Sequence, residues 1–200
     1  MIVAIVKYNA GNVQSVIYAL NRLGIEPIVT DDEQELKSAD KVIFPGVGEA
    51  STAMAYLHGR GLDKIIRELK QPVLGICIGQ QLLCAHSEEG DATCVGVFPM
   101  NVVKFENHNT AGEHFKVPHM GWNKLQNMQG PLFEGIDPEH AFVYYVHSFY
   151  VPNSEYTIAN STYVNEYSAA LQKDNFYSVQ FHPEKSGAVG AKILENFIRL

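Results

Sequence analysis

The sequence has little of what marks secreted, membrane-bound or nucleic-acid-binding proteins. Its cysteines are Cys77, Cys84 and Cys94, which cannot all pair with one another, so we expect reduced thiols and a cytoplasmic location. No stretch approaches the ~18 apolar residues of a membrane span, and the segment from Met1 to Val6 has no basic leader. The formal net charge of -7, without a basic block, gives no support for binding to nucleic acid or to a membrane surface.

Internal repeats, linkers and low-complexity segments are also missing from the 200 residues. A chain of this length can bury a sizeable apolar core without disulfides. We therefore predict a single domain over residues 1-200.

Strands and helices alternate in the first half of the chain. Helical spacing of apolar residues predicts helices over 13–23 and 62–69, and the polar connector at 31–39 has room for one further helical turn. Short apolar runs predict four strands, at 2–6, 25–30, 41–44 and 72–76. This alternation favours an α/β fold with a doubly wound, mostly parallel sheet and helices on both faces.

The second half has a different pattern, with many short apolar segments and little helix before Gly187. A closing amphipathic helix is predicted from Val189 to Ile198. We expect antiparallel strands that extend the same sheet or pack beside it. The predicted strands lie at 95–98, 102–105, 142–146, 157–159, 169–171 and 177–181.

The stretch from Gly75 to Gly79 lies between a predicted buried strand and a predicted helix, which is the setting of a nucleophile elbow. A nucleophile on such a turn has a strained backbone, and its neighbours two residues away must be small. The helix start also favours a thiolate at Cys77. Alternatively, Cys77 is a small buried hydrophobe between two chance glycines.

A thiol nucleophile needs a base and a group that orients the base. His182 and Glu184 follow a predicted strand, and Glu184 can accept a hydrogen bond from the His182 ring. The backbone N–H of Ile78 and the loop Gly46-Val47-Gly48 can donate to an oxyanion. Each motif by itself also fits an ordinary turn.

A metal site is a weaker interpretation. His108, His114 and His119 do not match a compact zinc pattern with Cys94, so we expect no metal and no cofactor, and we expect these histidines in exposed loops.

Taken together, the Pro45-Gly46-Val47-Gly48 loop, the Gly75 to Leu83 elbow and the Gln180-Phe181-His182-Pro183-Glu184 turn resemble the class I, or triad, glutamine amidotransferases. The resemblance covers essentially the whole chain and implies a flavodoxin-like fold. It also implies L-glutamine as the substrate and a triad of Cys77, His182 and Glu184. By the same resemblance, the glutamine pocket is lined by Gln81, Glu89, His147, Ser148 and Phe149.

Further segments are similar to family members that form a heterodimer with a TIM-barrel cyclase, which receives the ammonia. They are Tyr8 to Asn12, Pro118 to Asn123, Tyr144 to Tyr150 and Lys185-Ser186. Because the chain ends soon after Glu184, we expect a separate subunit to bind the ammonia acceptor. The resemblance suggests an interface of Asn12, Trp122, Tyr144 and Lys185, although Trp122 could equally pack in the core.

Other assignments stay open at this point. The same three motifs occur in glutaminase subunits that serve anthranilate, aminodeoxychorismate or pyridoxal phosphate synthesis. A cysteine peptidase on a similar fold does not require the His-Pro-Glu turn. A non-catalytic relative usually lacks one triad residue, and Cys77, His182 and Glu184 are all present.

Overall fold

A seven-stranded sheet forms the centre of the described structure. The structure is a computed structural model that describes residues 1–9 and 13–200, so the predicted interface residue Asn12 lies outside the described residues. In chain order the strands are β1 (Val3–Val6), β2 (Ile28–Thr30), β3 (Lys41–Gly46), β4 (Val73–Cys77), β5 (His86–Ser87), β6 (Ala92–Thr93), β7 (Asn101–Lys104), β8 (His119–Lys124), β9 (Phe142–His147), β10 (Phe149–Tyr150), β11 (Thr157–Thr162), β12 (Glu166–Lys173) and β13 (Phe176–Val179).

Six helices are described with these strands, and short 3-10 turns lie at Pro131–Phe133, Pro138–His140 and Pro183–Lys185. The helices are α1 (Val13–Arg22), α2 (Glu33–Ser38), α3 (Ala50–Arg60), α4 (Leu62–Glu68), α5 (Ile78–Leu82) and α6 (Gly187–Arg199). Asp32 caps α2 by accepting hydrogen bonds from the N–H groups of Gln34 and Glu35, both at 2.9 Å. None of the described helices has the length and apolar character needed to cross a membrane.

The strand order in the central sheet is β11-β12-β13-β4-β3-β1-β2. β2, β1, β3, β4 and β13 run parallel, whereas β12 is antiparallel to both β13 and β11. The prediction of a mostly parallel sheet extended by antiparallel strands is therefore confirmed. Smaller sheets, β10-β7-β5-β6 and the β8-β9 pair, pack beside it.

Helices cover both faces of the sheet because alternate strand residues point to opposite faces. Ala4 and Val6 of β1 belong to a core with α2, α3, α4 and α5, whereas Val3 and Ile5 belong to a core with α1 and α6. The carboxyl ends of β3, β4 and β13 meet at one edge, which is where ligands bind in folds of this kind.

One local prediction is wrong, and one helix was missed. The strand expected at 95–98 does not form, because the N–H groups of Val95 and Val97 bond to the carbonyls of Leu82 and Leu83 and so close the end of α5. Helix α3 was not predicted, since Ala50 and Ala53 supply much of its buried face and give a weak hydrophobic pattern.

The expected exposure of His119 is also wrong. Its ring is buried in β8 and stacks on Tyr163, with ring centroids 4.0 Å apart. The strand itself was missed because it contains Gly121 and mostly polar or exposed residues.

Candidate active site

Cys77 lies at a sharp turn between β4 and α5. Its backbone has φ 55° and ψ -111°, a region that residues with a side chain rarely adopt. Such a conformation costs on the order of 1–3 kcal/mol and persists only where the surroundings enforce it. The described backbone therefore has the strained geometry expected of a nucleophile elbow.

Gly75 and Gly79 are the residues that make this turn possible. A Cβ atom on Gly79 would lie 1.9 Å from the carbonyl oxygen of Phe44, and one on Gly75 would lie 2.8 Å from Leu83 Cδ1. The end of β3, the end of β4 and the start of α5 thus approach so closely that only glycine fits. This close approach holds Cys77 at the carboxyl edge of the sheet.

His182 follows β13, next to the strand that carries Cys77. The His182 ring and the Cys77 thiol line the same cleft, and Nδ1 of His182 is 2.8 Å from Oε1 of Glu184. Burial lowers the pKa of His182, but the hydrogen bonds and charges of Cys77 and Glu184 outweigh it and raise the pKa to about 10. The three side chains therefore form a contiguous set in which the imidazolium is favoured.

The turn that carries His182 is tied to the β8-β9 hairpin. The Ser186 hydroxyl donates to the His182 carbonyl oxygen at 2.6 Å and accepts from the N–H of Tyr144 at 2.9 Å. The N–H of His182 donates to the Tyr144 carbonyl at 2.9 Å. These bonds fix the position of the ring relative to the hairpin.

In the Gly46-Val47-Gly48 segment, Gly46 is tightly packed and Gly48 has open space around its α-carbon. Gly46 pairs with Cys77 in the sheet register, and a Cβ there would lie 2.0 Å from Tyr8 Oη, whose hydroxyl donates to the Pro45 carbonyl at 2.7 Å. Gly48 has φ 118°, and a Cβ there would meet no atom within 4 Å. Any reorientation of a peptide unit is therefore easiest between Val47 and Gly48.

A cleft of about 220 Å³ opens above Cys77. It brings together most of the predicted site residues with one that was not predicted, Val146. Its lining residues are Val47, Gly48, Cys77, Ile78, Gln81, Glu89, Val146, His147, Ser148, Phe149, His182 and Lys185. Gly46 and Glu184 lie behind the cleft, against a small void beside Val16.

Besides His182, two titratable residues of the cleft, Glu89 and His147, have shifted pKa values. The Glu89 carboxylate accepts the N–H of Ala50 at 2.8 Å, but its partial burial, the larger effect, raises its pKa. Burial lowers the pKa of His147 to about 3, although its ring donates to the Phe149 carbonyl at 2.8 Å. Burial also lowers the pKa of neighbouring His119 to about 4, so both rings are neutral near pH 7.

Gln180 is a further polar residue near the Cys77 thiol. No function was assigned to the Gln180 side chain from the sequence. Its side-chain nitrogen lies 3.9 Å from Cys77 Sγ, and the Val146 carbonyl oxygen lies at the same distance on another side. The available signal was strand alternation, since a residue two positions before His182 points to the same side of the sheet.

Trp122 and Tyr144 lie outside the cleft on the outer face of the β8-β9 hairpin. They are paired in the strand register, and their ring centroids are 6.0 Å apart. Trp122 is 57% exposed, so the alternative of core packing is wrong, and neighbouring Met120 is 63% exposed. Lys185 is exposed at the rim of the cleft.

Within residues 1–9 and 13–200, no group of three or more His, Cys, Asp and Glu side chains has the arrangement of a metal site. His108 and His114 do approach each other, with ring centroids 5.0 Å apart.

The comparisons with known proteins agree with this geometry. The family model described as glutamine amidotransferase class-I matches residues 4–200. PurLQS from Thermotoga maritima has a TM-score of 0.69 at 18% identity, with 99% of this chain and 97% of that chain covered. A glutamine amidotransferase from the same organism has a TM-score of 0.63 at 16% identity, covering 100% and 81%. The chain therefore belongs to the class I glutamine amidotransferases, which are glutamine-hydrolysing enzymes.

Within that family, the chain is similar along its full length to imidazole glycerol phosphate synthase subunit HisH. The HisH of Bacteroides fragilis is 54% identical over 200 residues, with 100% of both chains covered. The HisH of Bacteroides thetaiotaomicron is 55% identical over 202 residues, and that of Photorhabdus laumondii is 44% identical over 207, again with 100% of both chains covered.

Proposed function

We propose that the chain is the glutaminase subunit of imidazole glycerol phosphate synthase, an enzyme of histidine biosynthesis. It hydrolyses L-glutamine to glutamate and ammonia and passes the ammonia to a separate cyclase subunit. Full-length identity of 54% to HisH of Bacteroides fragilis supports the assignment. The observation that carries the chemistry is the strained Cys77 in one cleft with His182, which is itself bonded to Glu184.

In the first half of the reaction, the Cys77 thiolate attacks the side-chain carboxamide carbon of glutamine. A bond from sulfur to carbon forms, and the negative charge moves to the carbonyl oxygen. The Ile78 N–H at the start of α5 and a backbone N–H of the Gly46-Val47-Gly48 segment stabilise this oxyanion. The His182 imidazolium gives its proton to the departing amine, so ammonia leaves and a γ-glutamyl thioester remains.

In the second half, neutral His182 takes a proton from a water molecule that attacks the thioester carbon. The carbon–sulfur bond breaks, glutamate leaves, and the thiolate and imidazolium are restored. Glu184 holds the His182 Nδ1–H and stabilises the positive charge of the ring in both halves.

The cleft supplies the groups that bind glutamine. We assign Gln81, Glu89, His147, Ser148 and Phe149 to this pocket. Glu89 is its acidic side chain and therefore the group that suits the ammonium of an amino-acid substrate. Its hydrogen bond to Ala50 fixes it at the start of α3, directly after the Gly46-Val47-Gly48 segment.

The cyclase partner is a TIM barrel that docks over the mouth of the cleft to form a heterodimer. Exposed Met120 and Trp122 supply apolar contact area beside the site, and Tyr144 and Lys185 extend this surface towards His182. Asn12 belongs to the same proposed interface. We further propose a cytoplasmic location, since all three cysteines are unpaired thiols.

We expect low glutaminase activity until the cyclase and its nucleotide ligand are bound. The free conformation of Gly48 allows a peptide unit of the loop to turn an oxyanion donor away from the cleft at rest. Steady-state glutamate release with and without the cyclase and its nucleotide measures this effect. Equal rates would contradict the gating.

The function itself is tested by mixing the purified chain with an imidazole glycerol phosphate synthase cyclase subunit and its nucleotide substrate. We expect a complex and nucleotide-dependent glutamate release that Cys77→Ala abolishes. Cys94→Ala is the matched control, because it removes a buried thiol outside the cleft. Undiminished turnover in Cys77→Ala, or no glutamate release by the wild-type complex, would overturn the proposal.

A further inference from the structure

We propose that Gln180 is a catalytic residue whose side-chain amide donates an N–H to the sulfur of Cys77 and stabilises the thiolate. The inference rests on the proposed function, since it concerns the same nucleophile. It adds a charge-stabilising donor to the triad of Cys77, His182 and Glu184. The starting observation is the 3.9 Å separation of Gln180 Nε2 and Cys77 Sγ in a part of the molecule where Gln180 is 0% exposed.

The orientation of the Gln180 amide follows from a backbone carbonyl. Gln81 contacts the Phe149 carbonyl oxygen at 3.0 Å, and because a carbonyl only accepts, the contacting atom of Gln81 is its amide nitrogen. The same nitrogen lies 2.9 Å from Gln180, so Gln180 presents its oxygen there. The remaining atom of the Gln180 amide, which faces the sulfur, is therefore the NH₂ group.

The Phe149 carbonyl oxygen, on which this assignment rests, also accepts a hydrogen bond from a second donor. Nδ1 of His147 lies 2.8 Å from it, so that ring nitrogen carries the proton. His147 and Gln81 thus both donate to the Phe149 carbonyl. Gln81 also donates to the Gln180 side-chain oxygen, and Gln180 in turn donates to Cys77. All these side chains are buried, so rotation of the Gln180 amide would leave buried groups unpaired.

Two polar groups lie near the sulfur, and each can bond to a different protonation state of it. The Val146 carbonyl, 3.9 Å away, can accept only from the protonated thiol, whereas the Gln180 amide can donate to the thiolate. Ionisation therefore exchanges one partner for the other. The same donor acts when the thioester breaks, because sulfur then leaves as a thiolate.

Other titratable groups also face the thiol. His182 contacts it, Tyr8 lies close enough to interact with its charge, and Glu89, His147 and Lys185 line the same cleft. Because these groups act on the same sulfur, only differences between variants that retain all of them are informative.

The test compares Gln180→Met with Gln80→Met, each of which removes a fully buried amide of similar size. Gln80 donates to the Ser168 carbonyl at 3.2 Å and lies outside the cleft. Pulses of iodoacetamide across a pH series, with peptide mass spectrometry, give the pH midpoint of Cys77 alkylation for the full chain alone and in complex with the cyclase.

Loss of one hydrogen bond to a charged sulfur raises this midpoint by about one pH unit in Gln180→Met, so about tenfold less thiolate is present at pH values below the wild-type midpoint. At those pH values we expect kcat to fall by a similar factor of about ten while KM stays unchanged, because the lost interaction is with the nucleophile. Gln80→Met should keep the wild-type midpoint. A folded Gln180→Met chain with the wild-type midpoint would overturn the inference.

A second measurement needs no folded variant at position 180. In the ¹⁵N-labelled wild-type chain, the side-chain NH₂ resonances of Gln180 should shift with the same pH midpoint as alkylation, and they should not do so in Cys77→Ala. Gln180 side-chain resonances whose chemical shifts do not change when Cys77 ionises would overturn the inference. Failure of the proposed function would appear differently, as a wild-type complex that releases no glutamate.

Discussion

Replacement of Gly79 by alanine tests the tight packing on which the elbow depends. The new Cβ would lie 1.9 Å from the Phe44 carbonyl oxygen and 3.0 Å from its carbon. Both contacts are with backbone, so rotation of a side chain cannot relieve them. The end of β3 and the start of α5 must separate by about 1 Å or more to restore an ordinary contact. Overpacking of this kind lowers the free energy of unfolding by about 1–3 kcal/mol.

The same displacement should reduce catalysis more than stability. β3 leads into the loop with Gly46, and α5 carries the Ile78 N–H, so their separation widens the gap between the two sources of oxyanion donors. A misplacement of about 1 Å in a reacting group can cost about a hundredfold in rate. We therefore expect kcat for glutamate release by the cyclase complex to fall by about a hundredfold in Gly79→Ala.

Gly59→Ala is the matched control, because a Cβ there meets no atom within 4 Å and the position is exposed near the end of α3. It should retain wild-type kcat and gain up to about 1 kcal/mol from helix propensity. Urea unfolding gives the stabilities and steady-state kinetics give kcat. Wild-type kcat and stability in Gly79→Ala would refute the reasoning, since the close approach would then place no constraint on the elbow.

Three further substitutions address the base, the loop and the interface. Glu184→Gln removes the negative charge that helps to raise the pKa of His182, so the alkaline limb of the kcat/KM profile should move to lower pH; an unmoved limb would contradict this. Because the folded-state pKa is raised, the loss of unfolding free energy should be largest below about pH 6.5 and vanish towards about pH 10, which denaturation at several pH values measures. Tyr8→Phe leaves the Pro45 carbonyl without its donor and should cost about 1–3 kcal/mol in urea unfolding, whereas an unchanged midpoint would show that water replaces the hydroxyl. Trp122→Ala should weaken cyclase binding by about 2 kcal/mol in calorimetry and leave the stability of the free chain unchanged; unaltered affinity would remove Trp122 from the interface.

The elbow was predictable from sequence because its requirements are local. A strained residue between a strand and a helix needs small neighbours at fixed spacing, and Gly75 and Gly79 show that spacing. The hydrogen bond between His182 and Glu184 was likewise predictable, since the two residues are two positions apart after a strand, although Glu184 lies in the 3-10 turn Pro183–Lys185 and not in extended chain. The parallel sheet followed from the alternation of strands and helices in the first half.

The other features depend on contacts between distant segments. The orientation of Gln180 is determined by Gln81, which lies 99 positions earlier. Apolar residues alternate at Val95 and Val97 as they do in a strand. Their N–H groups, however, donate hydrogen bonds to the carbonyls of Leu82 and Leu83. Burial of His119 depends on Tyr163, which no local pattern indicates. Sequence periodicity reports which face of a segment is apolar, and it does not report which partner covers that face.

The central claim is that Cys77 is the nucleophile, and labelling with a diazoketone analogue of glutamine tests it most directly. The analogue binds where glutamine binds and alkylates the thiolate that attacks it. Peptide mass spectrometry of the inactivated wild-type complex should show one label, on Cys77, with loss of glutaminase activity in proportion to labelling. A label on Cys84 or Cys94, or full activity in a chain labelled at Cys77, would contradict the account.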